Sequence, residues 1–156
     1  MKNKYFEEEE ITENDLYFIC YMIERVARKL HQKNCYVVNM IGKEELYHLI
    51  SCANVLHCEN PLKVEDDWIR DYGLMEGTAD VTEVDPELVS VIPDALQMGK
   101  VYQRLITMTL HHDETEVAGI LRVYNNPICE VIDNYNCSAF YEPSYVIARA
   151  YQNGGF

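Results

Sequence analysis

Residues 16–30 read LYFICYMIERVARKL, and this stretch decides the fold. Its apolar residues recur at helical spacing and form one unbroken stripe, which consists of Leu16, Ile19, Cys20, Ile23, Ala27 and Leu30. Phe18 and Met22 widen the apolar surface beyond a single face, whereas the charged residues, Glu24 among them, lie mostly off the stripe. Thr12 followed by Asp15 is close to a capping box at a helix start. The pattern predicts a central helix buried between several neighbours.

The rest of the chain carries shorter apolar stripes of the same period, separated by glycine and proline. They predict an all-α fold of about eight short-to-medium helices. We expect two packed helical halves, residues 1–73 and 100–156, joined by an acidic connecting segment, residues 74–99, called the acidic segment below. Within it, the β-branched residues of 79–84 and 88–92 predict a small β-hairpin.

Capping and helix-breaking residues set the expected helix limits. We expect the first helix to end near Lys33, and Gly42 to stop the short apolar stretch that follows. Asp113 is expected to cap a later helix, and Asn126 with the proline after it to open another that extends to Tyr135.

The composition narrows the class of function. The chain has 13 Lys and Arg against 26 Asp and Glu, so its formal net charge is −13, and such a surface repels a phosphate backbone. We therefore expect no direct nucleic-acid binding. No apolar run approaches the length of a membrane helix, and the charged N-terminus does not resemble a signal peptide. These features predict a cytoplasmic protein without membrane association.

Cysteine and tyrosine usage adds two expectations. The six cysteines are scattered, several of them on apolar helix faces, and are predicted to be free thiols. Twelve tyrosines suit half-buried positions and contact surfaces, and they leave a homo-oligomer open. The glycines form no phosphate-binding loop or nucleophile elbow, so we expect no cofactor.

Three clusters contain residue types that can perform chemistry. The first is His48, Cys52, His57 and Cys58, but its spacing matches no familiar zinc pattern, and we expect core and boundary residues rather than a metal site. The second is residues 111–114, His-His-Asp-Glu, where the histidines would complement a helix C-terminus. The third is Glu65, Asp66, Asp67 and Asp71, acids that suit the first turn of a helix.

Two parts of the chain resemble small uncharacterised bacterial families of helical proteins. The first match consists of Phe18, Ile23, Glu24, Val26 and Ala27 in an opening helix, then Val55-Leu56-His57, then Val64-Glu65-Asp66. The second consists of residues 102–106, 123–125 and 133–145. The resemblance implies genes that lie beside one encoding an ADP-ribosyltransferase-like protein, and hence a toxin with small neutralising companions. It implies a partner and assigns no catalytic residue.

Asp71 and the acidic segment that follows it supply five of the nine predicted contact residues. From Asp71 to Gly99 there are seven acids and no Lys or Arg, so this stretch can steer a basic partner. Val81, Val84, Leu88, Val89, Val91 and Ile92 would add apolar anchors, unless the segment folds as a hairpin on its own core. A second cluster of tyrosines and polar residues follows at 134–145. The predicted partner-binding residues are Asp71, Glu76, Asp80, Glu83, Asp85, Asn134, Tyr135, Tyr141 and Tyr145.

The first functional hypothesis is a non-enzymatic protein-binding module, an antitoxin or inhibitor of an effector encoded by a neighbouring gene. One alternative is a small metal-dependent enzyme that uses Asp66, Asp67, Asp71 and His57. Another is an acidic mimic of nucleic acid that blocks a DNA- or RNA-binding enzyme.

Overall fold

The predicted central helix is present as α1 (Glu13–Leu30) in the computed structural model, which describes residues 2–156. Every residue of its apolar stripe is buried. The capping box is also present: Thr12 Oγ1 accepts the N–H of Asp15 at 3.2 Å, and Asp15 Oδ2 accepts the N–H of Thr12 at 2.8 Å. The helix ends before Lys33 because His31 adopts a left-handed conformation, with φ of 52°, which turns the chain out of the helix.

The all-α prediction is confirmed, since the described residues contain eight α-helices, one short 3-10 helix and no strand. The further helices are α2 (Asn34–Ser51), α3 (Ala53–Leu56), α4 (Pro61–Asp71), α5 (Ala95–Thr109), α6 (Glu116–Tyr124), α7 (Cys129–Ile132) and α8 (Ser144–Asn153), with the 3-10 helix at Ala139–Tyr141. Gly42 divides α2 at a kink, with φ of 78° and ψ of 170°. Only glycine adopts that conformation readily, so Gly42 stops the first part of α2 as the sequence predicts.

The other helices pack around α1. Its most extensive contact is with α5, and it also packs against α2, α3 and α4, while α5 packs against α6 and α8. The approach of α5 to α1 is close at Gly99, where a Cβ atom would lie 2.8 Å from the Cα of Tyr21. A side chain at this position would push the two helices apart. One hydrophobic cluster runs through α1, α2, α5 and α6, and the division into two halves stays a prediction.

Three local predictions are wrong. The predicted hairpin at 79–84 and 88–92 is absent, and these residues are irregular. Thr115, not Asp113, caps α6, since Thr115 Oγ1 accepts the N–H of Ala118 at 3.2 Å. The helix predicted to reach Tyr135 is the single turn α7, which ends before Asp133. In the last two cases a local side-chain or backbone partner satisfies the chain outside a longer regular element, whereas residues 77 and 79 bond to the end of α1.

Candidate functional site

The predicted contact residues lie in different places. Asp80, Glu83, Asn134 and Tyr135 line one cavity. Asp71 and Glu76 are exposed at the end of α4 and the start of the acidic segment. Asp85 is exposed further along the segment, whereas Tyr141 and Tyr145, 76% and 57% exposed, lie near the start of α8. The structure therefore joins the acidic segment to residues 134–136 but leaves the two exposed tyrosines outside that group.

The first part of the acidic segment is fastened to the end of α1. The N–H of Gly77 donates to the carbonyl of Leu30 at 2.7 Å, and the N–H of Ala79 donates to the carbonyl of His31 at 2.8 Å. The last carbonyls of a helix have no partner within the helix, so these bonds satisfy groups that would otherwise need water. They also explain why residues 79–84 do not pair as a hairpin, since part of their backbone is directed to α1.

The second part of the acidic segment is fastened at two further points. The N–H of Asp85 donates to Asn136 Oδ1 at 2.7 Å. Arg28 Nη2 donates to the carbonyl of Pro93 at 2.7 Å. Asp85 also closes a local turn, because its Oδ1 accepts the N–H of Glu87 at 2.9 Å. The segment is irregular yet held along its length.

The acidic segment has an inner and an outer apolar side. Val81 and Val84 are half-buried and pack against the hydrophobic core, so they are anchors for the protein's own fold. Leu88, Val91 and Ile92 are 67%, 76% and 37% exposed. These last residues, together with Asp85 and Glu87, are called the outer face below.

Several acids of the acidic segment have no cationic partner among the described residues. Glu76, Glu83 and Glu87 are exposed, and none of them takes part in an ion pair within residues 2–156. Asp80 Oδ1 accepts the hydroxyl of Thr82 at 2.6 Å and the N–H of Thr82 at 2.9 Å, and these bonds lower the pKa of the Asp80 carboxyl. The segment therefore presents negative charge that the described part of the chain leaves unneutralised.

A cavity of about 590 Å³ opens beside the acidic segment. Its wall is formed by the start of α2, by residues 79–83, by the chain from the end of α6 to α7, and by residues 133–136. The charged residues in this wall are Lys33, Asp80, Glu83, Glu130 and Asp133. Lys33 Nζ lies 3.0 Å from Glu130 Oε1, so the cation of the wall is already paired.

Asp133 is the acid that lies deepest in this wall. Tyr102, fully buried, donates its hydroxyl to Asp133 Oδ1 at 2.7 Å. Burial, and next the negative charge of Glu24, raise the pKa of the Asp133 carboxyl well above its ordinary value. Asp133 is thus a carboxyl group that can hold a proton where an exposed aspartate would not.

Glu24 lies beneath the cavity and is only 1% exposed, so the prediction that it lies off the buried stripe is wrong. Its Oε1 accepts Arg28 Nε at 3.0 Å and the Tyr135 hydroxyl at 3.1 Å, and its Oε2 accepts Asn34 Nδ2 at 2.7 Å. The hydrogen bonds from these donors offset the free-energy cost of burying the charge of Glu24. Tyr135, 3% exposed, is an interior residue of this network. The signal in the sequence is the spacing, since Glu24 follows the buried Cys20 by one helical turn.

The acids of α4 are all paired, unlike those of the acidic segment. Arg25 pairs with Glu65, Lys29 with Glu65 and Asp66, Lys63 with Asp67, and Arg70 with Asp67 and Asp71. Glu65 is 4% exposed and fastens α4 to α1. In this cluster, singled out as a possible catalytic group, Glu65 and Asp66 hold α4 against α1, and Asp67 and Asp71 pair within α4.

In the His-His-Asp-Glu stretch, the last residue, Glu114, forms an ion pair with Arg122. Glu114 Oε1 lies 2.7 Å from Arg122 Nε, and Glu114 Oε2 accepts Arg122 Nη2 at 2.9 Å. This bidentate contact with the guanidinium lowers the pKa of the Glu114 carboxyl. Arg122 Nη1 also donates to the Tyr151 hydroxyl at 2.8 Å, which connects α6 to α8.

The two histidines of the predicted metal cluster, His48 and His57, pack against different aromatic rings. The ring of His48 packs 5.4 Å from that of Tyr5, and the ring of His57 packs 5.1 Å from that of Phe18. Across residues 2–156, no group of three or more His, Cys, Asp or Glu is arranged to hold a metal ion. The six cysteines are free thiols in the structure, and burial raises the pKa of Cys20 to about 12.

Comparisons with protein-family models, with curated proteins and with solved structures found no match to this chain. Among the helices that the structure describes, none combines the length and the apolar character needed to span a bilayer.

Proposed function

We propose that this protein is a non-enzymatic protein-binding module that neutralises a protein effector, as an antitoxin or inhibitor does. The observation that supports this proposal is the outer face of the acidic segment. There Leu88 and Val91, 67% and 76% exposed, lie in the same short stretch as Asp85 and Glu87, which have no cationic partner in the described residues.

The chemistry of the outer face favours a partner with a basic surface around an apolar groove. Unneutralised carboxylates speed the encounter with a positive surface, and exposed aliphatic side chains then gain free energy from burial. The hydrogen bonds at Gly77, Ala79 and Asp85 hold the segment before the partner arrives. Binding therefore requires little ordering of the chain, which favours affinity.

The identity of the effector follows from the sequence resemblance. That resemblance favours an ADP-ribosyltransferase-like protein encoded beside this one, which the chain would meet in the cytoplasm. In this proposal the protein blocks its partner by occupying a surface, and no residue of the chain acts as a catalyst.

The test begins by co-expressing the chain with the products of its neighbouring genes and isolating the complex. Glu76→Lys combined with Glu87→Lys removes two exposed acids of the segment that lie outside the cavity wall. We expect the association rate to fall about tenfold at low ionic strength and to lose most of its salt dependence. Stopped-flow or surface-based kinetics at several salt concentrations measures both quantities.

The matched control is Glu7→Lys combined with Glu8→Lys, which makes the same change in net charge on the exposed N-terminal stretch. It should leave the association rate nearly unchanged. An unaltered rate in the Glu76/Glu87 variant, or a larger effect in the control, would place the contact elsewhere and overturn the proposal.

The apolar part of the outer face is tested separately. Leu88→Ser and Val91→Ser should each raise the dissociation rate about tenfold, since each removes a side chain that the partner would bury. Turnover of a substrate by the chain alone, abolished by replacing a surface carboxylate, would contradict the non-enzymatic assignment. Displacement of the partner by DNA or RNA would instead indicate a nucleic-acid mimic.

A further inference from the structure

The cavity beside the acidic segment has the size of a small-ligand site, about 590 Å³. Four separate stretches of the chain form its wall, so the cavity depends on the whole fold. Lys33, the cationic residue of the wall, is paired with Glu130. Asp80 and Glu83 form no ion pair within residues 2–156, and Asp133 lies near Arg28 without forming a direct ion pair with it.

Two polar groups in the wall lack the partners that folding usually provides. Within residues 2–156, the hydrogen bond of the Asp133 carboxyl is the one that Oδ1 accepts from Tyr102, and Oδ2 has no protein donor. Tyr124 also lines the cavity and is 2% exposed, and its hydroxyl has no hydrogen-bond partner among the described residues. Its neighbour there is the thiol of Cys20, a weak hydrogen-bonding group. Cys20 is fully buried, so the Tyr124 hydroxyl lies on the core side of the wall, and Asp133 Oδ2 is the acceptor that remains for a ligand.

The remainder of the wall consists of aromatic rings and amides. Tyr124 stacks on Tyr102, with ring centroids 4.5 Å apart, and Tyr135 forms another part of the wall. The side chains of Asn34, Asn125, Asn126, Asn134 and Asn136 supply amide oxygens. The rings of Tyr124 and Tyr135 are only 2% and 3% exposed, so carboxylates and amide oxygens are the groups that a cation would meet.

We propose that this cavity binds an organic cation, a guanidinium or primary ammonium group carried on a short aliphatic chain. Its charge would lie among Asp80, Glu83 and Asp133, and its aliphatic part against Val81 and Pro127, which also line the cavity. An anion would meet uncompensated carboxylates, and a neutral ligand would leave Asp133 Oδ2 without a charged partner. The oxygens are not arranged as a metal cage in the described structure, which favours an organic cation over a metal ion.

The cation has two sources with the same chemistry. One is a free small molecule, and the other is an arginine or lysine side chain of a bound protein. The site itself does not depend on the proposed protein partner, because residues of this chain form the whole wall.

The first experiment is isothermal titration calorimetry of the full chain with agmatine, which carries both cationic groups, and with butylurea, a neutral analogue of similar shape. Agmatine should bind and butylurea should not. Glu83→Gln and Asp133→Asn should each weaken agmatine binding about tenfold, as expected for loss of a charge-assisted contact. Glu76→Gln and Glu87→Gln, which remove acids outside the wall, should change it by less than about twofold.

Proton exchange provides a second readout. A cation beside Asp133 favours its ionised form and lowers the pKa that burial has raised, so binding should release protons from this carboxyl. The apparent binding enthalpy should then vary with the ionisation enthalpy of the buffer, and this variation should disappear in Asp133→Asn. The titratable and charged groups that face Asp133 are Glu24, Arg28, Tyr102, Tyr124, Cys129 and Tyr135.

Several results would overturn the assignment. These are equal binding of butylurea and agmatine, no agmatine binding up to about 10 mM, corresponding to less than 3 kcal/mol, or binding that Glu83→Gln leaves unchanged. Glu83 is exposed, so its variant tests the site even if Asp133→Asn unfolds. Once agmatine binds, displacement of it by the purified partner would identify a partner side chain as the natural occupant. Simultaneous binding of both would identify a free cation, and a failure of the partner experiments alone would leave the cavity assignment intact.

Discussion

The acids of α4 and the acids of the acidic segment are close in sequence but differ in what surrounds them. On α4, Glu65 and Asp67 contact cations from α1 and from their own helix. In the acidic segment, Glu76, Glu83 and Glu87 have no cation within residues 2–156. The first group contributes its charge to the fold, whereas the charge of the second is not neutralised by any cation of the described residues. An acidic composition by itself does not distinguish these two uses.

The largest expected effect belongs to the buried member of the α4 group. Glu65→Gln removes the charge that Arg25 faces, and loss of one partner of a largely buried pair should lower the free energy of unfolding by about 3 kcal/mol. The side chain of Arg25 is 26% exposed, which places the estimate at the low end for such pairs. Urea denaturation measures the change. Asp66→Asn, on the same helix but exposed, is the control and should change much less.

Glu114, a paired acid outside α4, should also stabilise the fold through its charge, and its contribution to the unfolding free energy should therefore depend on pH. Glu114→Gln should lower the unfolding free energy by about 1.5 kcal/mol at pH 7, since it loses a charged contact with Arg122. The pKa of Glu114 is lower in the folded protein than in the unfolded chain, so its stabilisation is present above the unfolded value, about 4.5. It is lost as the pH falls through the folded pKa.

Urea denaturation at pH 7 and at pH 3 checks this second prediction. The difference between the wild type and Glu114→Gln should shrink at the lower pH. Asp113→Asn, an exposed neighbour, serves as the control. A difference of equal size at both values would show that the hydrogen-bonding geometry matters and the ionised carboxylate does not.

The smallest effect is expected in the acidic segment. Glu76→Gln combined with Glu87→Gln should change the unfolding free energy by less than about 0.5 kcal/mol. At low salt the change should be a slight gain, because it relieves repulsion within a chain of net charge −13. Thermal denaturation at low and high salt measures it. A clear loss of stability would mean that these acids also hold the fold, and the contrast with α4 would fail.

Periodicity predicted the helical part of the fold because each helix buries one stripe. The stripe of α1, its capping box and the all-α class were all readable from local spacing. The hairpin prediction failed because the partners of residues 77–79 lie on α1, far along the chain, and no local pattern encodes that contact. The prediction of Asp113 as a cap failed because Thr115, two residues on, is also a good capping residue and only the backbone position decides between them.

The candidate site was harder to predict than the fold. Composition located the acids of the segment, and their exposure agrees with that prediction for Glu76 and Glu83. It did not separate Val81 and Val84, which face the core, from Leu88 and Val91, which face outward. The cavity was missed altogether, since its wall combines four stretches that come together only in the folded chain.

The bonds that fasten the acidic segment to α1 also restrict how its length can vary. Gly77 and Ala79 are two residues apart and reach two consecutive carbonyls, so an inserted residue between them would break one of the two bonds. The outward turn around Leu88 and Val91 carries no comparable restriction. In related chains we expect residues 74–85 to keep a constant spacing and insertions to occur in the outward turn. The protein would thus be able to suit a different partner by changing the length of one turn, while the end of α1 keeps its hydrogen bonds to the acidic segment.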